Sequence, residues 1–389
     1  MGEPWKQRKL ENITLKYFGG GTPTTKISEY WQGDLPWFQS SDFIKGSIDA
    51  PKISKKVSEN GLKNSAAKKI PGNSIAIITR VGVGKLGVIP FSYATSQDFL
   101  SLHLDSDNNL YFIAYQLQKI LDTVNQQGSA IKGITKKELL DLSISLPSLE
   151  EQVLISNVLK LIDSIITLHQ RQLDLLKEQK KGLLQKMFPK EGTDVPELRF
   201  PGFTEPWKQR KLGELYEPLT EKNRELLPFN KTISPSTMTY KSSGNGAADS
   251  SLSTYKRLRL GDIAFEGHSS KEFKYGRFVL NDLGDGIMSS RFSALRPRQV
   301  LPLDFWKYYI HYEPIMAKIL VKSTKAGTMM NELVLNDFLK SHILIPSLQE
   351  QKLIGKFFYN LDLLITLHQR KGKILFSKKM AYLQLIFNK

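Results

Sequence analysis

Apolar residues recur at alternating intervals of three and four along two long stretches of the chain. The first carries Ile155, Val158, Ile162 and Ile165, then His169, Gln172, Leu176 and Leu183. The second carries Ile354, Phe357, Leu361 and Leu364, then His368, Lys371, Leu375 and Tyr382. Heptad spacing gathers such positions on one side of an α-helix, where they are buried against a neighbour. Each stretch opens on Pro-Ser-Leu, and Ser148 with Glu151, like Ser347 with Glu350, stands at the spacing of a reciprocal helix cap. The pattern predicts two helices of about 40 residues, each about 60 Å long at 1.5 Å per residue. Two such helices most simply pack on each other. Because each follows its own module and the chain must return to begin the next, antiparallel packing is expected, with the modules at opposite ends about an approximate twofold axis.

The two stretches are copies. Residues 146–190 and 345–389 align without a gap at a separation of 199, and the block Ile166-Thr167-Leu168-His169-Gln170-Arg171 returns unchanged at 365–370. The octapeptide Glu3-Pro4-Trp5-Lys6-Gln7-Arg8-Lys9-Leu10 recurs at 205–212, a separation of 202. Between these anchors the halves barely match. Self-similarity at a fixed period marks a duplicated unit, so scaffold is repeated and the inserts, 11–145 and 213–344, are not. Both inserts read as mixed α and β: strands at 74–79, 99–104 and 262–265, a helix at 110–124, and a helix at 304–321 bent at Pro314. Gly128 and Gly327 mark corresponding points ahead of the capped helices. The expected fold is α+β, with two mixed α/β modules separated by two long helices packed as an antiparallel coiled coil. Expected boundaries are 1–146 and 191–345 for the modules, with a connector at 191–204, and 147–190 and 346–389 for the helices.

Charge narrows the choice of partner. The 389 residues carry 55 Lys and Arg against 38 Asp and Glu, a net charge of +17, and each of the four segments is positive. Such an excess favours a polyanion, because basic side chains that neutralise phosphates release condensed counterions. The absence of cysteine excludes disulfides, thiolate metal sites and thiol catalysis. The start, Met1-Gly2-Glu3-Pro4-Trp5-Lys6, offers no apolar signal stretch, and no 18-residue uninterrupted apolar run follows, so a cytoplasmic protein without a membrane partner is expected.

Catalytic signatures do not materialise. Gly82-Val83-Gly84-Lys85-Leu86-Gly87 matches a dinucleotide fingerprint, but Val88-Ile89-Pro90 follows where a helix N-terminus should receive the pyrophosphate. A glycine-rich turn approaching a DNA backbone and a plain hairpin both remain open for it. Gly84-Lys85-Leu86 lacks the Ser or Thr of a phosphate-binding loop, and neither His-Glu-x-x-His nor an Asn-Pro-Pro-aromatic tetrapeptide occurs. His169 and His368 occupy matching helix positions, where a buried register-setting pair is expected in preference to a metal site. Trp5 and Trp207, in the repeated octapeptide, are expected to make scaffold contacts.

Two divergent modules alternating with two duplicated helices, each opened by Pro-Ser-Leu-x-Glu-Gln, resemble the specificity subunits of type I restriction-modification systems. Gly19-Gly20-Gly21-Thr22-Pro23 and Tyr30-Trp31-Gln32-Gly33-Asp34-Leu35-Pro36-Trp37 resemble the start of a target recognition domain in that family. The resemblance implies a DNA-binding subunit without catalytic residues or a cofactor of its own. It implies two methylation subunits and the restriction subunits as partners, with S-adenosylmethionine, ATP and magnesium held there, and a bipartite target; from their length, the helices are expected to set the spacing between its halves. A coiled-coil adaptor and a single-chain nucleotide-dependent enzyme are the alternatives. Base reading needs paired donors and acceptors on loops between rigid elements. In the first module the candidates are Lys26, Trp37, Gln39, Ser40, Ser41, Arg80, Lys85, Ser96 and Gln97. In the second they are Lys222, Arg224, Thr239, Tyr240, Lys241, Ser269, Ser270, Lys271, Lys274 and Arg291, within loops that include 236–243 and 289–291.

Overall fold

The structure, a computed structural model, describes residues 4–126, 133–241 and 249–387. Met1 to Glu3, Gly128, Ser242 and Ser243 lie outside the described residues. The chain forms two compact units, Met1–Arg171 with Gln369–Lys389, and Gln172–His368.

In the first unit the octapeptide becomes strand β1 (Lys6–Lys9), followed by β2 (Thr14–Gly19), β3 (Leu35–Phe38), β4 (Lys55–Val57), helix α1 (Glu59–Lys63), β5 (Ser74–Ile78), β6 (Leu86–Ile89), β7 (Ala94–Thr95) and β8 (Phe99–Leu104). Helices α2 (Leu110–Gln126) and α3 (Lys136–Leu140) precede β9 (Ser143–Leu146) and the long helix α4 (Leu149–Met187). The main sheet has the order β2-β8-β5-β6, all antiparallel. Strand β5 is buried throughout, because alternate residues face two cores. Ile75 and Ile77 pack with Phe112, Ile113 and Leu117 of α2, whereas Ala76 and Ile78 pack with Phe38, Phe43 and Tyr93. Burial on both faces explains the unbroken apolar run in its sequence. Strand β1 pairs antiparallel with β9, directly ahead of α4. Trp5 stacks edge-on against Phe112 and Phe387.

The second unit repeats this plan. Strand β10 (Lys208–Lys211), helix α5 (Leu212–Leu215), β11 (Tyr216–Pro218), β12 (Ile233–Ser234), β13 (Thr239–Tyr240), β14 (Lys256–Leu258), β15 (Ile263–Glu266), β16 (Arg277–Leu280), β17 (Gly286–Met288) and β18 (Ala294–Pro297) lead to helices α6 (Leu303–Tyr309) and α7 (Glu313–Ser323). Then come β19 (Thr324–Ala326), β20 (Asn331–Leu333), α8 (Leu335–Lys340), β21 (His342–Ile345) and the last helix, α9 (Leu348–Phe387). The sheet order β11-β18-β15-β16 and the β10–β21 pair reproduce the first unit. Trp207 is buried against Phe188, Phe305 and Tyr309. Residues 304–321 form two helices instead of one bent helix, since α6 ends at Tyr309 and Pro314 sits in the first turn of α7, where its missing N–H costs nothing.

Three expectations for the long helices are refined. In each unit the two helical segments run antiparallel: Ile155 and Leu159 pack with Leu383 and Phe387, and Leu183 and Leu184 with Phe358 and Leu361. The packed seam is displaced from the apolar register, because Val158 is 58% exposed and Ile165 37%, whereas Leu159 is fully buried and Gln152, Ser156 and Asp163 lie on its line. Polar seam positions are hydrogen-bonded: Gln152 Nε2 donates to the Pro147 carbonyl (3.1 Å), Ser156 Oγ to the Val153 carbonyl (3.0 Å), and Asp163 accepts from Tyr115 and Lys379, so the apolar register marks a flank and not the seam. Only half of each reciprocal cap forms: the Glu151 and Glu350 amides donate to Ser148 and Ser347 Oγ (3.3 Å each), but the carboxylates are engaged elsewhere. Glu151 accepts from Trp5 Nε1 (3.3 Å), and Glu350 accepts two bonds from Arg199 (2.8 Å each).

Candidate nucleic-acid interface

In the first module, β2 runs into Gly19-Gly20-Gly21. A Cβ on Gly20 would stand 1.9 Å from the Ser96 carbonyl oxygen, and one on Gly21 2.2 Å from the backbone of Ala66, so only glycine lets this segment lie against its neighbours. Beside it opens a cleft of about 800 Å³ lined by Gly20, Arg80, Gln97, Gly133, Thr135 and Lys136. The cleft brings together two expected residues, Arg80 and Gln97, both exposed, with Gln97 Oε1 accepting from Thr22 Oγ1 (2.7 Å). Lys136, at the start of α3, was not among the expected residues. Thr135 and Glu138 form a full capping box around it, and its ammonium lies 3.6 Å from the Tyr17 ring centroid. The Thr-x-x-Glu signature after a glycine was the signal that could have located it.

The Gly82–Gly87 motif is a hairpin. It joins antiparallel β5 and β6, with Gly82 and Gly84 at φ of +90° and +94°, and no helix follows. Lys85 Nζ donates to the Ser40 carbonyl (3.3 Å), so those two expected residues meet on one side of the turn. Gln39 is bound into its own loop, donating to Ser41 Oγ (2.9 Å) and accepting from Lys55 (3.4 Å). Lys26 lies in an exposed turn, next to a shallower cleft of about 460 Å³ lined by Thr25, Trp31, Lys55 and Lys56.

Two expected residues are corrected. Trp37 is 3% exposed, donates from Nε1 to the Gly21 carbonyl (3.0 Å) and stacks edge-on against Trp31, so it anchors the module's core. Ser96 is 4% exposed; its amide donates to the Phe38 carbonyl and its hydroxyl to Asp98 Oδ2 (3.3 Å). Both are held inward by these bonds, in stretches whose neighbours Phe38 and Thr95 are buried as well.

In the second module a cleft of about 500 Å³ gathers Lys241, Ser269 and Ser270 with Ser236, His268 and Arg277. Arg277 and His268 were missed. Arg277 Nη2 donates to the Ser236 carbonyl (2.7 Å), and His268 Nδ1 lies 2.5 Å from the buried Glu266 carboxylate. Ser269 donates to the Lys274 carbonyl (2.9 Å) and Ser270 accepts from the Phe273 amide (3.0 Å), which shapes the exposed loop carrying Lys271 and Lys274. Arg291 is exposed between Ser289 and Phe292, which both line the cleft. Thr239 and Tyr240 are exposed on β13, and the Tyr240 hydroxyl donates to the Asp285 carbonyl (2.9 Å). Lys222 and Arg224 are exposed on the loop after β11 and do not line this cleft. Beneath that loop Glu221 is held down at about 2 by hydrogen bonds from Arg259 and Arg296.

Among the described residues no group of three or more His, Asp or Glu could hold a metal ion, and neither His169 nor His368 belongs to one; both are half-buried.

The two halves of this molecule share a sheet order and a scaffold but not their cleft linings. A family model, the type I restriction modification DNA specificity domain, matches the chain twice, over residues 2–178 and 204–375. The chain belongs to this family. Each matched specificity domain takes in one module and most of one long helix. A specificity subunit supplies DNA recognition and not catalysis to its restriction-modification system. Among curated relatives, the type I restriction enzyme MjaIX specificity subunit of Methanocaldococcus jannaschii is 24% identical over 379 residues, 91% of this chain and 85% of that one. The EcoR124I/EcoR124II specificity subunit of Escherichia coli is 27% identical over 175 residues, 41% of this chain and 43% of that one. Among solved structures, the type I restriction-modification S subunit from M. genitalium superposes with a TM-score of 0.61 at 16% identity, over 98% of this chain and 96% of that one. A chain from a study of complex assembly and conformational transition of the type I R-M system gives 0.56 at 15% identity, over 100% and 98%. Those two likenesses establish the fold.

Proposed function

We propose that each module, 1–146 and 191–345, reads one half of a bipartite double-stranded DNA target through its cleft, in the cytoplasm, as part of a complex that methylates and restricts DNA. The observation that carries this reading is the contrast within the repeat. Equivalent sheets present Arg80, Gln97 and Lys136 in one module and Lys241, Ser269 and Arg277 in the other, so a shared scaffold offers two different sets of donors and acceptors to base edges.

The long helices support the second part of the reading. Leu154, Leu161 and Leu168 of α4 are 62%, 62% and 57% exposed, at heptad spacing, beside Val158 and Ile165. By length and composition α4 could cross a membrane, with an 18-residue window of mean hydropathy 1.2 that is 17% buried. In α9 the equivalents of Leu154, Ile165 and Leu168 are Leu353, Leu364 and Leu367, exposed as well, whereas Leu161 is replaced by Asn360. A duplicated apolar flank on a strut is suited to two copies of one protein partner, and the methylation subunits fill that role. S-adenosylmethionine, ATP and magnesium then belong to the methylation and restriction subunits.

The test is binding of the purified chain to duplexes of many sequences across a salt series. Affinity should fall steeply as salt rises, with log Kd linear in log salt, because phosphate contacts release counterions. Salt-independent binding, or magnesium-dependent cleavage by the chain alone, would overturn the reading.

A further inference from the structure

Each unit fixes its module to the long helices with the same three side chains. In the first, the Tyr115 hydroxyl and Lys379 Nζ both donate to Asp163 (2.6 Å each). In the second, the Tyr308 hydroxyl and Lys180 Nζ both donate to Asp362 (2.6 Å each). Each lysine also lies over its tyrosine ring, at 5.2 and 4.8 Å. Asp163 and Asp362, like Lys180 and Lys379, are related by the 199-residue repeat.

What covers the triad differs. Lys379 is 1% exposed, because residues 44–49 lie over it, turning at Lys45 and Gly46, where the Ser47 amide donates to the Ile44 carbonyl (3.3 Å). The Gly46 carbonyl accepts a further bond from Lys379 Nζ (2.9 Å), and the Ile48 carbonyl accepts from the Val88 amide (2.8 Å), which closes the outer edge of β6. Lys45 in the same segment reaches Asp122 of α2 at 4.0 Å.

In the second unit Lys180 is 23% exposed and faces a cavity of about 610 Å³, bounded by Leu184, Gln185, Leu280, His311 and Glu313. Among the described residues strand β16 pairs only with β15. The Asn281 amide donates to the Asp262 carbonyl, so the alternation of an antiparallel ladder turns the polar groups of Leu280 and Phe278 outward. The Phe278 carbonyl is taken by His311 Nδ1 (3.2 Å), while the Leu280 amide meets no backbone acceptor across the cavity among the described residues. Glu272 and Glu313 also line the cavity and form no ion pair among the described residues.

A filled site and its open duplicate together define the missing piece. We propose that this cavity is a docking site for a short segment of another protein chain carrying a lysine or arginine, which lies along the outer edge of β16 and caps Lys180 as residues 44–49 cap Lys379. Main-chain carbonyls of the segment accept from the Leu280 amide and Lys180 Nζ, in the manner of strand addition. A lysine or arginine on it meets Glu272 and Glu313, as Lys45 meets Asp122. The inference rests on the second unit's own geometry and is independent of how DNA is read.

The probe is a fluorescent synthetic peptide with the sequence of residues 43–48, Phe-Ile-Lys-Gly-Ser-Ile, blocked at both ends so that its lysine is its one charge, titrated into the full chain. The expected result is saturable binding at one site per chain, weakened at least tenfold when the peptide's lysine is replaced by glutamate. Gln185→Trp, at an exposed position on the rim, fills the mouth and should weaken binding equally while leaving the melting temperature unchanged. A photoreactive version of the peptide should cross-link within 279–282 or 307–313. Absence of saturable binding, undiminished binding to a folded Gln185→Trp variant, or cross-links confined to the first unit would each overturn the proposal.

Discussion

Arg80 stands exposed at its cleft and forms no ion pair among the described residues, so its guanidinium is free to meet an incoming acceptor. If that acceptor is a guanine edge, Arg80→Ala should weaken binding to the cognate duplex by about 1–3 kcal/mol and relax selectivity at one base pair. An equal loss on all duplexes, measured by anisotropy, would make it a phosphate contact. Glu221 gives a pH prediction. Hydrogen bonds from Arg259 and Arg296 hold its carboxyl at about 2, against about 4.3 in an unfolded chain. A carboxyl depressed in the folded state stabilises it fully above the unfolded value, and the gain is lost as pH falls through the folded one. Urea midpoints of the parent and Glu221→Gln should therefore differ at pH 7 and converge between about 4.3 and 2. A gap that persists unchanged toward pH 2 would show that the carboxylate's charge is not responsible. At this scale the sequence was readable by residue type and unreadable by direction. Arg80, Gln97, Lys241 and Ser269 lie in clefts, but Trp37 and Ser96 have the same composition signature and point inward, because the Gly21 and Phe38 carbonyls that hold them come from distant parts of the sequence.

Elements carry a different kind of information. The long helices were legible from spacing and caps, because a 3.6-residue period sustained over many turns has no other reading. Which flank of each helix is buried was not legible, since the seam holds Gln152, Ser156 and Asp163 while leucines occupy the exposed side. That inversion yields a test: Leu154→Asp with Leu161→Asp, both 62% exposed, should leave the melting temperature and DNA binding unchanged yet abolish co-purification of the methylation subunit. Retained assembly would remove the flank from the interface. The Arg199–Glu350 pair offers a second test, because both side chains are largely buried (10% and 1% exposed). Removing one partner of a buried pair leaves an uncompensated charge, so Arg199→Ala should cost about 3–5 kcal/mol in urea unfolding. Arg199→Met with Glu350→Leu should recover much of it. A neutral single variant would show the pair to be dispensable.

For the whole molecule the duplication was the most legible feature, since an identical octapeptide and a gapless 45-residue repeat cannot arise from composition. The structure adds why these segments are the repeated ones. The octapeptide strand pairs with the strand ahead of each long helix, β1 with β9 and β10 with β21, so both anchors of a module belong to one small sheet while the insert between them is free to vary. The closing of one triad by residues 44–49 escaped the sequence because it depends on contacts between distant segments, whereas Pro314 marked the interruption of 304–321 and only its form, two helices instead of a bend, was not legible. If the modules are independent in this way, replacing residues 11–145 with the corresponding insert of another specificity subunit should exchange one half of the target alone. The chimera, assembled with methylation and restriction subunits, is used to modify random DNA, and the methylated sites are sequenced. One half of the recognised sequence should change while the other half stays as it was. A change in both halves, from a chimera that folds and methylates, would contradict that independence.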